Sequence, residues 1–303
     1  MPAATPFPRH IAALILATLA CSFAGNHIAA RIAFDHDTGL LLAMLCRSGV
    51  TMLALAALVL WRGESLRMRR QTWGWQLMLG LLIAVQSFCI YSAVARIPVA
   101  LALLVVNLAP ILLALLTWAL GGPRPTRRAA WLMGLILLGL VFVLDLPQQL
   151  SGPAEIDQRW IEGVLFGLTG AAAFACALWI TEHRLSGMPG AVRSMLTMLV
   201  VFAASALAGA GGLLPGGMDL PSATAGWIAL GCLVLLYGVA FSALFILVTR
   251  LDIARNAPVM NIEPVAGLLF GWLILDQLLG GIQIFGGVLV VSGIVLLAYK
   301  RQA

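Results

Sequence analysis

Ten times along its length, the chain runs apolar for roughly 20 residues without a break. A hydrocarbon slab of about 30 Å needs a run of that length to be crossed by one helix. The runs show no dyad alternation over ~10-residue segments, so a transmembrane β-barrel is excluded. Of the 303 residues, 62% are hydrophobic and only 10% are charged, against about 25% charged in ordinary soluble domains. No interior of a chain this size hides that much apolar surface, and the excess must face lipid. A soluble all-β domain, a disordered chain and a cytosolic enzyme are excluded with it. The fold class expected is all-α: a polytopic membrane protein with ten transmembrane helices.

The expected spans are approximately 10–32, 38–61, 73–95, 98–120, 129–146, 161–183, 191–213, 225–249, 257–275 and 281–299. The connectors are too short for a soluble domain; the longest runs from about Pro147 to Trp160. With the N-terminus placed in the cytoplasm, 14 of the 18 Lys and Arg residues fall on the cytoplasmic side. Arg31, Arg96 and Arg159 fall on the far side, and Arg47 lies inside a span. That bias is a strong positive-inside signal and requires an even number of crossings. The far-side loops carry Asp35, Asp37, Glu155, Asp157, Asp219 and Asp276 instead. The basic residues are spread over short loops, so the net charge of +6 gives no nucleic-acid surface. The first apolar run reads as an uncleaved helix, although Ala20 and Cys21 faintly resemble a lipoprotein cleavage site. The five cysteines all fall inside spans, as small apolar packers.

An ungapped offset of 154 residues aligns Arg96 with Arg250, Asn107 with Asn261, Pro110 with Pro264, Trp118 with Trp272 and Gly139 with Gly293. Apolar matches are common in such a chain, but matches of Asn, Pro, Trp and Arg in one register are not. The chain therefore reads as two five-helix halves, 1–150 and 151–303. Five is odd, so the halves insert with opposite orientation. Inverted repeats place a substrate near the midplane and let the two faces open in turn.

The segments "YSAVARIPVALALLVVNLAPILLALLTWAL" and "RLDIARNAPVMNIEPVAGLLFGWLILDQLLGGIQIFGGVLVVSGIVLLAY" resemble the repeated core of the drug/metabolite transporter superfamily, EamA type. The Arg in "LLAMLCRSGV" fits the same resemblance. One departure is visible: the acid after the Pro-bearing helix is present as Asp276, but its repeat mate is Gly122. Within the superfamily the chain is most similar to bacterial exporters, aromatic amino-acid exporters first. The resemblance implies a multi-pass protein of the bacterial inner membrane, both termini cytoplasmic, that exports a small metabolite by secondary transport.

Polar groups inside spans are costly and mark candidate contacts with a substrate. Arg47 either faces a substrate anion, pairs with Glu263, or snorkels toward the far interface. Glu263 can carry a proton, bind a substrate ammonium, or simply bond two helices together. Asn107 with Pro110, and Asn261 with Pro264, form the repeated pair. Each Pro frees the carbonyl four residues back, giving either a polar patch in a cavity wall or a hinge. Tyr237, Phe241 and Phe245 form one aromatic stripe at i, i+4, i+8. Gln86, Tyr91 and Trp179 are similar candidates, and Asn26 shares the first span with His27. The substrate-contact set is thus Asn26, Arg47, Gln86, Tyr91, Asn107, Trp179, Tyr237, Asn261 and Glu263, with Pro110 and Pro264 as hinges. Trp73, Trp118, Trp131, Trp227 and Trp272 lie near span ends and read as the interfacial belt. Gly267 and Gly271 read as close helix packing.

The four histidines are scattered, and no metal, phosphate-loop or dinucleotide motif occurs. No cofactor, metal or catalysis is expected, and ATP-driven transport by this chain is excluded. The rivals are a membrane enzyme or scaffold, which would cluster carboxylates or histidines at one face, and a carrier of cationic drugs. Reporter fusions should place Lys300 in the cytoplasm; a periplasmic Lys300 would contradict both the orientation and the even count.

Overall fold

The computed structural model of the chain describes residues 7–66, 70–122, 124–143, 158–212, 217–247, 251, 259 and 262–298. Among them there is no strand, and all regular structure is helical. The helices are α1 (Arg9–Asp35), α2 (Leu40–Arg62), α3 (Arg70–Val94), α4 (Val99–Val106), α5 (Ala109–Ala119) and α6 (Arg127–Val143). They continue with α7 (Gln158–His183), α8 (Gly190–Ala210), α9 (Thr224–Leu247), α10 (Ile262–Leu275) and α11 (Gly281–Ala298). Local chemistry sets several ends. Pro8, Pro98 and Pro189 precede α1, α4 and α8, where a missing N–H costs nothing. Gly63 ends α2 in the left-handed region at φ 63°, a conformation that suits glycine.

Seven rods are long and apolar enough to cross a membrane: α1, α2, α3, the combined α4–α5, α7, α8 and α9. The described parts of α10 and α11 are shorter and equally apolar. The longest expected connector lies mostly outside the described residues.

The fourth rod, one candidate span from Val99 to Ala119, is interrupted just before Pro110. It is broken at Asn107 and Leu108, so Pro110 stands in the first turn of a new helix, α5, and does not interrupt a continuous one. The Asn107 amide donates to the Leu103 carbonyl at 2.8 Å, across the last turn of α4. Pro264 likewise stands in the first described turn of α10, beside Glu263.

The rods pack as two groups. In one, α1 packs on α9 and α10, and α2 packs on α9. In the other, α7 packs on α3, α4 and α5, and α8 packs on α3. The groups meet where α2 crosses α8 and α4 crosses α10, while α6 and α11 pair with each other. One group therefore takes helices from both ends of the chain, and the other takes helices from its middle.

Contacts recur in pairs related by the 154-residue offset. A Cβ on Gly139 would lie 2.9 Å from the Gly286 carbonyl oxygen and 2.9 Å from Val290. One on Gly293 would meet Ile136, and the Leu132 carbonyl oxygen at 3.6 Å. These pairs exchange under the offset, and they run α6 and α11 antiparallel. Similarly a Cβ on Gly25 would lie 3.3 Å from the Leu236 side chain, and their mates Trp179 and Leu82 share one apolar cluster.

Gly286 is the closest approach to backbone in the α6–α11 pair: a Cβ there would lie 2.6 Å from both the Gly139 carbonyl oxygen and the Val143 amide nitrogen. Gly286→Leu should therefore cost about 1–3 kcal/mol by forcing the backbones apart. Thermal unfolding in detergent and monodisperse yield would both fall. Gly134→Leu, where a Cβ would meet nothing within 4 Å, should leave both unchanged.

Candidate functional site

On α2 the buried stripe carries polar residues among apolar ones: Arg47, Ser48 and Thr51 are 3%, 0% and 0% exposed. An intramembrane arginine belongs on the protein-facing side of its helix, because lipid cannot solvate it. The Arg47 guanidinium lies 4.8 Å from the Tyr91 ring centroid and 4.2 Å from that of Tyr237. A cation between two aromatic faces is attracted by both ring quadrupoles, and more strongly when water is excluded. Its Nη2 donates to Ser87 Oγ at 2.6 Å, and Ser87 Oγ donates in turn to Gln86 Oε1 at 3.4 Å. Arg47 Nε is buried with no acceptor. Among the described residues no carboxylate lies within ion-pair distance of the guanidinium. The side chain is held inside the bundle and does not snorkel.

Tyr91 connects this arginine to a second polar pair. His27 and Phe34 present ring edges to Tyr91, at 6.3 and 5.7 Å between centroids. His27 Nε2 lies 3.7 Å from Glu263 Oε1. Glu263 is therefore partnered by His27 and not by Arg47, which removes one of the three readings of the arginine. Next to it, Asn26 donates from Nδ2 to the Leu233 carbonyl at 2.9 Å, while its Oδ1 is buried without a partner. Tyr237 stacks on Phe241 at 5.3 Å and meets the edge of Phe23 at 5.9 Å.

The cluster is built mainly from one packing group: Asn26 and His27 of α1, Arg47 of α2, Tyr237 of α9 and Glu263 of α10. Ser87 and Tyr91 of α3 come from the other group. Arg47 is therefore bonded across the contact between the groups. Its unsatisfied Nε suits an anionic oxygen. The His27–Glu263 pair suits a cationic group or a proton. The tyrosine rings offer flat apolar faces.

Not every expected residue is here. Trp179 stacks on the His183 ring at 4.8 Å and lies in a separate cluster with Leu79 and Trp75. Its placement on an aromatic-bearing span carried no information about direction. Asn107 bonds its own helix end. Asn261 and the side chains of Pro110 and Phe245 lie outside the described residues. Ser87 was missed, although it stands four residues before Tyr91 on the same face. The belt tryptophans Trp73, Trp118, Trp131, Trp227 and Trp272 are all exposed, and the five cysteines are free.

Comparison with known proteins places this arrangement. A solved protein crystal structure matches over 98% of this chain and 99% of its own, at 23% sequence identity and a TM-score of 0.64. That likeness shows a shared fold. No protein of curated function matches the chain. The family model for EamA-like transporters matches twice, over residues 10–145 and again over 161–299. Between them these two matches take in every helix that contributes to the buried cluster, and on that coverage the chain belongs to the EamA-like transporter family.

Proposed function

We propose that the chain is a secondary transporter that exports small metabolites across the bacterial inner membrane, amino acids first among them and aromatic ones the first to try. Ten crossings, both termini in the cytoplasm and two inverted halves, 1–150 and 151–303, complete the reading. The paired contacts between α6 and α11 and the double family match support the halves. Transport proceeds by alternating access, one packing group rocking against the other, with no chemistry on the cargo.

The observation that carries the reading is Arg47, a desolvated cation between two tyrosines with a free Nε. In this reading the substrate carboxylate takes the guanidinium, the ammonium turns to Glu263, and an aromatic side chain lies against Tyr237 and Phe241. A second reading of the same pair, favoured by the 3.7 Å approach of His27 to Glu263, is that it carries the coupling proton.

Counterflow in proteoliposomes with a panel of labelled amino acids should show exchange of a subset, aromatic members included. Exchange of none would sink the amino-acid reading. On the same preparation, Arg47→Met should abolish exchange while thermal stability is kept or raised, since an apolar replacement removes a desolvated charge. A large loss of stability would make Arg47 a structural bond.

Glu263→Gln separates the two readings of the acid. If Glu263 holds a substrate ammonium, binding should weaken roughly 10- to 150-fold, the loss of one charged hydrogen bond. If it carries the proton, binding should survive while the pH dependence of transport disappears. Wild-type binding and pH dependence together would remove Glu263 from the site.

A further inference from the structure

The turn between α1 and α2, residues 36–39, closes α1 as a Schellman motif. The Asp37 amide donates to the Phe34 carbonyl at 3.2 Å, and the Thr38 amide donates to the Ala33 carbonyl at 3.0 Å. That motif puts Asp37 in the left-handed region, at φ 62°. Helix α2 ends in the same conformation with a glycine, Gly63, the residue that reaches it most easily. After α1 the chain carries a carboxylate instead. The turn is tied to the loop before α9. The Gly39 amide donates to the Asp219 carbonyl at 2.9 Å, and the Ser222 amide donates to the His36 carbonyl at 3.0 Å. Asp37 and Asp219 are thereby held at one recess.

The recess has a volume of about 390 Å³, and Phe34, Thr38, Ser92 and Arg96 line it with the two acids. That is room for a small molecule. Both carboxylates are exposed, and neither has an ion-pair partner among the described residues. Arg96, the cation of the recess, is already engaged. Its Nε donates to Glu162 Oε2 and its Nη1 to the Ser92 carbonyl, both at 3.0 Å. The recess therefore holds unmatched negative charge. A second feature is independent of the acids. Thr38 is 5% exposed, and its Oγ1 is buried with no hydrogen-bond partner among the described residues. An unpaired buried hydroxyl costs stability, and this one can accept a bond from a donor that enters the recess. Phe34 supplies an apolar wall. Its ring edge meets Tyr91 at 5.7 Å, and Tyr91 in turn flanks Arg47. The recess thus stands beside the central cluster, with two aromatic rings between them.

We propose that this recess is a second binding site, an outer station that takes a small organic ammonium. Asp37 and Asp219 hold the charge, Thr38 Oγ1 accepts one N–H, and the apolar body of the ligand lies against Phe34. The station stands on its own geometry and goes beyond the amino-acid reading of the central cluster.

Leu220, an exposed residue of the recess wall, gives a reporter position. In a chain with its five cysteines replaced by alanine, Leu220→Cys is labelled in detergent with a neutral methanethiosulfonate reagent. Phenethylamine should slow the labelling. Phenylpropionate, a similar body with an anionic end, should not. Asp37→Asn and Asp219→Asn should each weaken the protection about tenfold or more, the effect of losing one charged hydrogen bond. Asparagine also visits the left-handed region, so Asp37→Asn keeps the turn. Thr38→Val should weaken the protection by less, and thermal stability should be kept or raised as an unpaired hydroxyl is removed. Arg47→Met should leave the protection unchanged. No protection by millimolar phenethylamine overturns the station. Equal protection by phenylpropionate overturns it as well, and so does protection that both asparagine variants leave intact. Loss of protection in Arg47→Met also overturns it, because the amine is then bound at the central cluster. Protection in a protein that exchanges no amino acid leaves the station standing and sinks the substrate reading. Exchange without protection does the opposite.

Discussion

A buried guanidinium, with no carboxylate beside it among the described residues, constrains everything around it. Insertion scales put an arginine at the bilayer centre at about 2.5–3.5 kcal/mol. Two aromatic faces at 4.2 and 4.8 Å and one charged hydrogen bond to Ser87 offset a cost of that size. Supplying them requires α2, α3 and α9 to converge at one level, and they come from both packing groups. If the groups separate, Arg47 loses Tyr91 and Ser87 together. Something must then replace them, and an anionic ligand or water is what the chemistry allows. A ligand that pairs with the guanidinium in one state better than in the other shifts the balance between states by that difference and by no more. The same charge thus serves as a joint in one state and as a demand for a partner in the next.

The scaffold repeats while the chemistry does not. Glycine contacts between α6 and α11 exchange under the 154-residue offset, as does the match of apolar neighbours at Gly25 and Trp179. The cluster residues have no such mates. Arg47 corresponds to Val201, Tyr91 to Phe245, Tyr237 to Ile83, His27 to Thr181 and Glu263 to Ala109. At the mirrored place the chain builds an apolar core around Leu55, Met198 and Val201. The Arg47 cluster therefore stands to one side of the relation between the halves. Duplicating the backbone costs the chain little in sequence specificity, since apolar residues of similar size suffice. Duplicating a buried charge would have required a second complete set of aromatic and hydrogen-bonding partners.

Much of this was legible because polar residues are rare in the runs. Arg47, Tyr91, Tyr237, Asn26 and Glu263 stood out against apolar neighbours, and the structure brings them to one place. Seven of the expected apolar rods and the packing of small residues followed from length and register. Three things were not legible. The His27–Glu263 contact joins residues at opposite ends of the chain, and no local pattern encodes such a pairing. The break at Asn107 could not be told from a kink, because a proline in an apolar run serves equally as an interruption or as the first turn of a new helix. Trp179 was grouped with the site because an aromatic residue on a uniformly apolar helix carries no sign of which neighbour it faces.

The position of the asymmetry matters as much as its existence. With the inverted halves proposed above, the two end states are alike in packing, so the large apolar terms cancel between them and small polar ones decide the populations. The Arg47–Ser87 bond to α3, whose offset positions hold Val201 and Phe241, enters that difference undiluted. A difference of a few kcal/mol leaves a minor state populated at about 0.1–10%. In the alternating-access cycle proposed above, a repeated apolar core keeps both states within reach, and unmatched polar groups such as Arg47 set which of them is preferred.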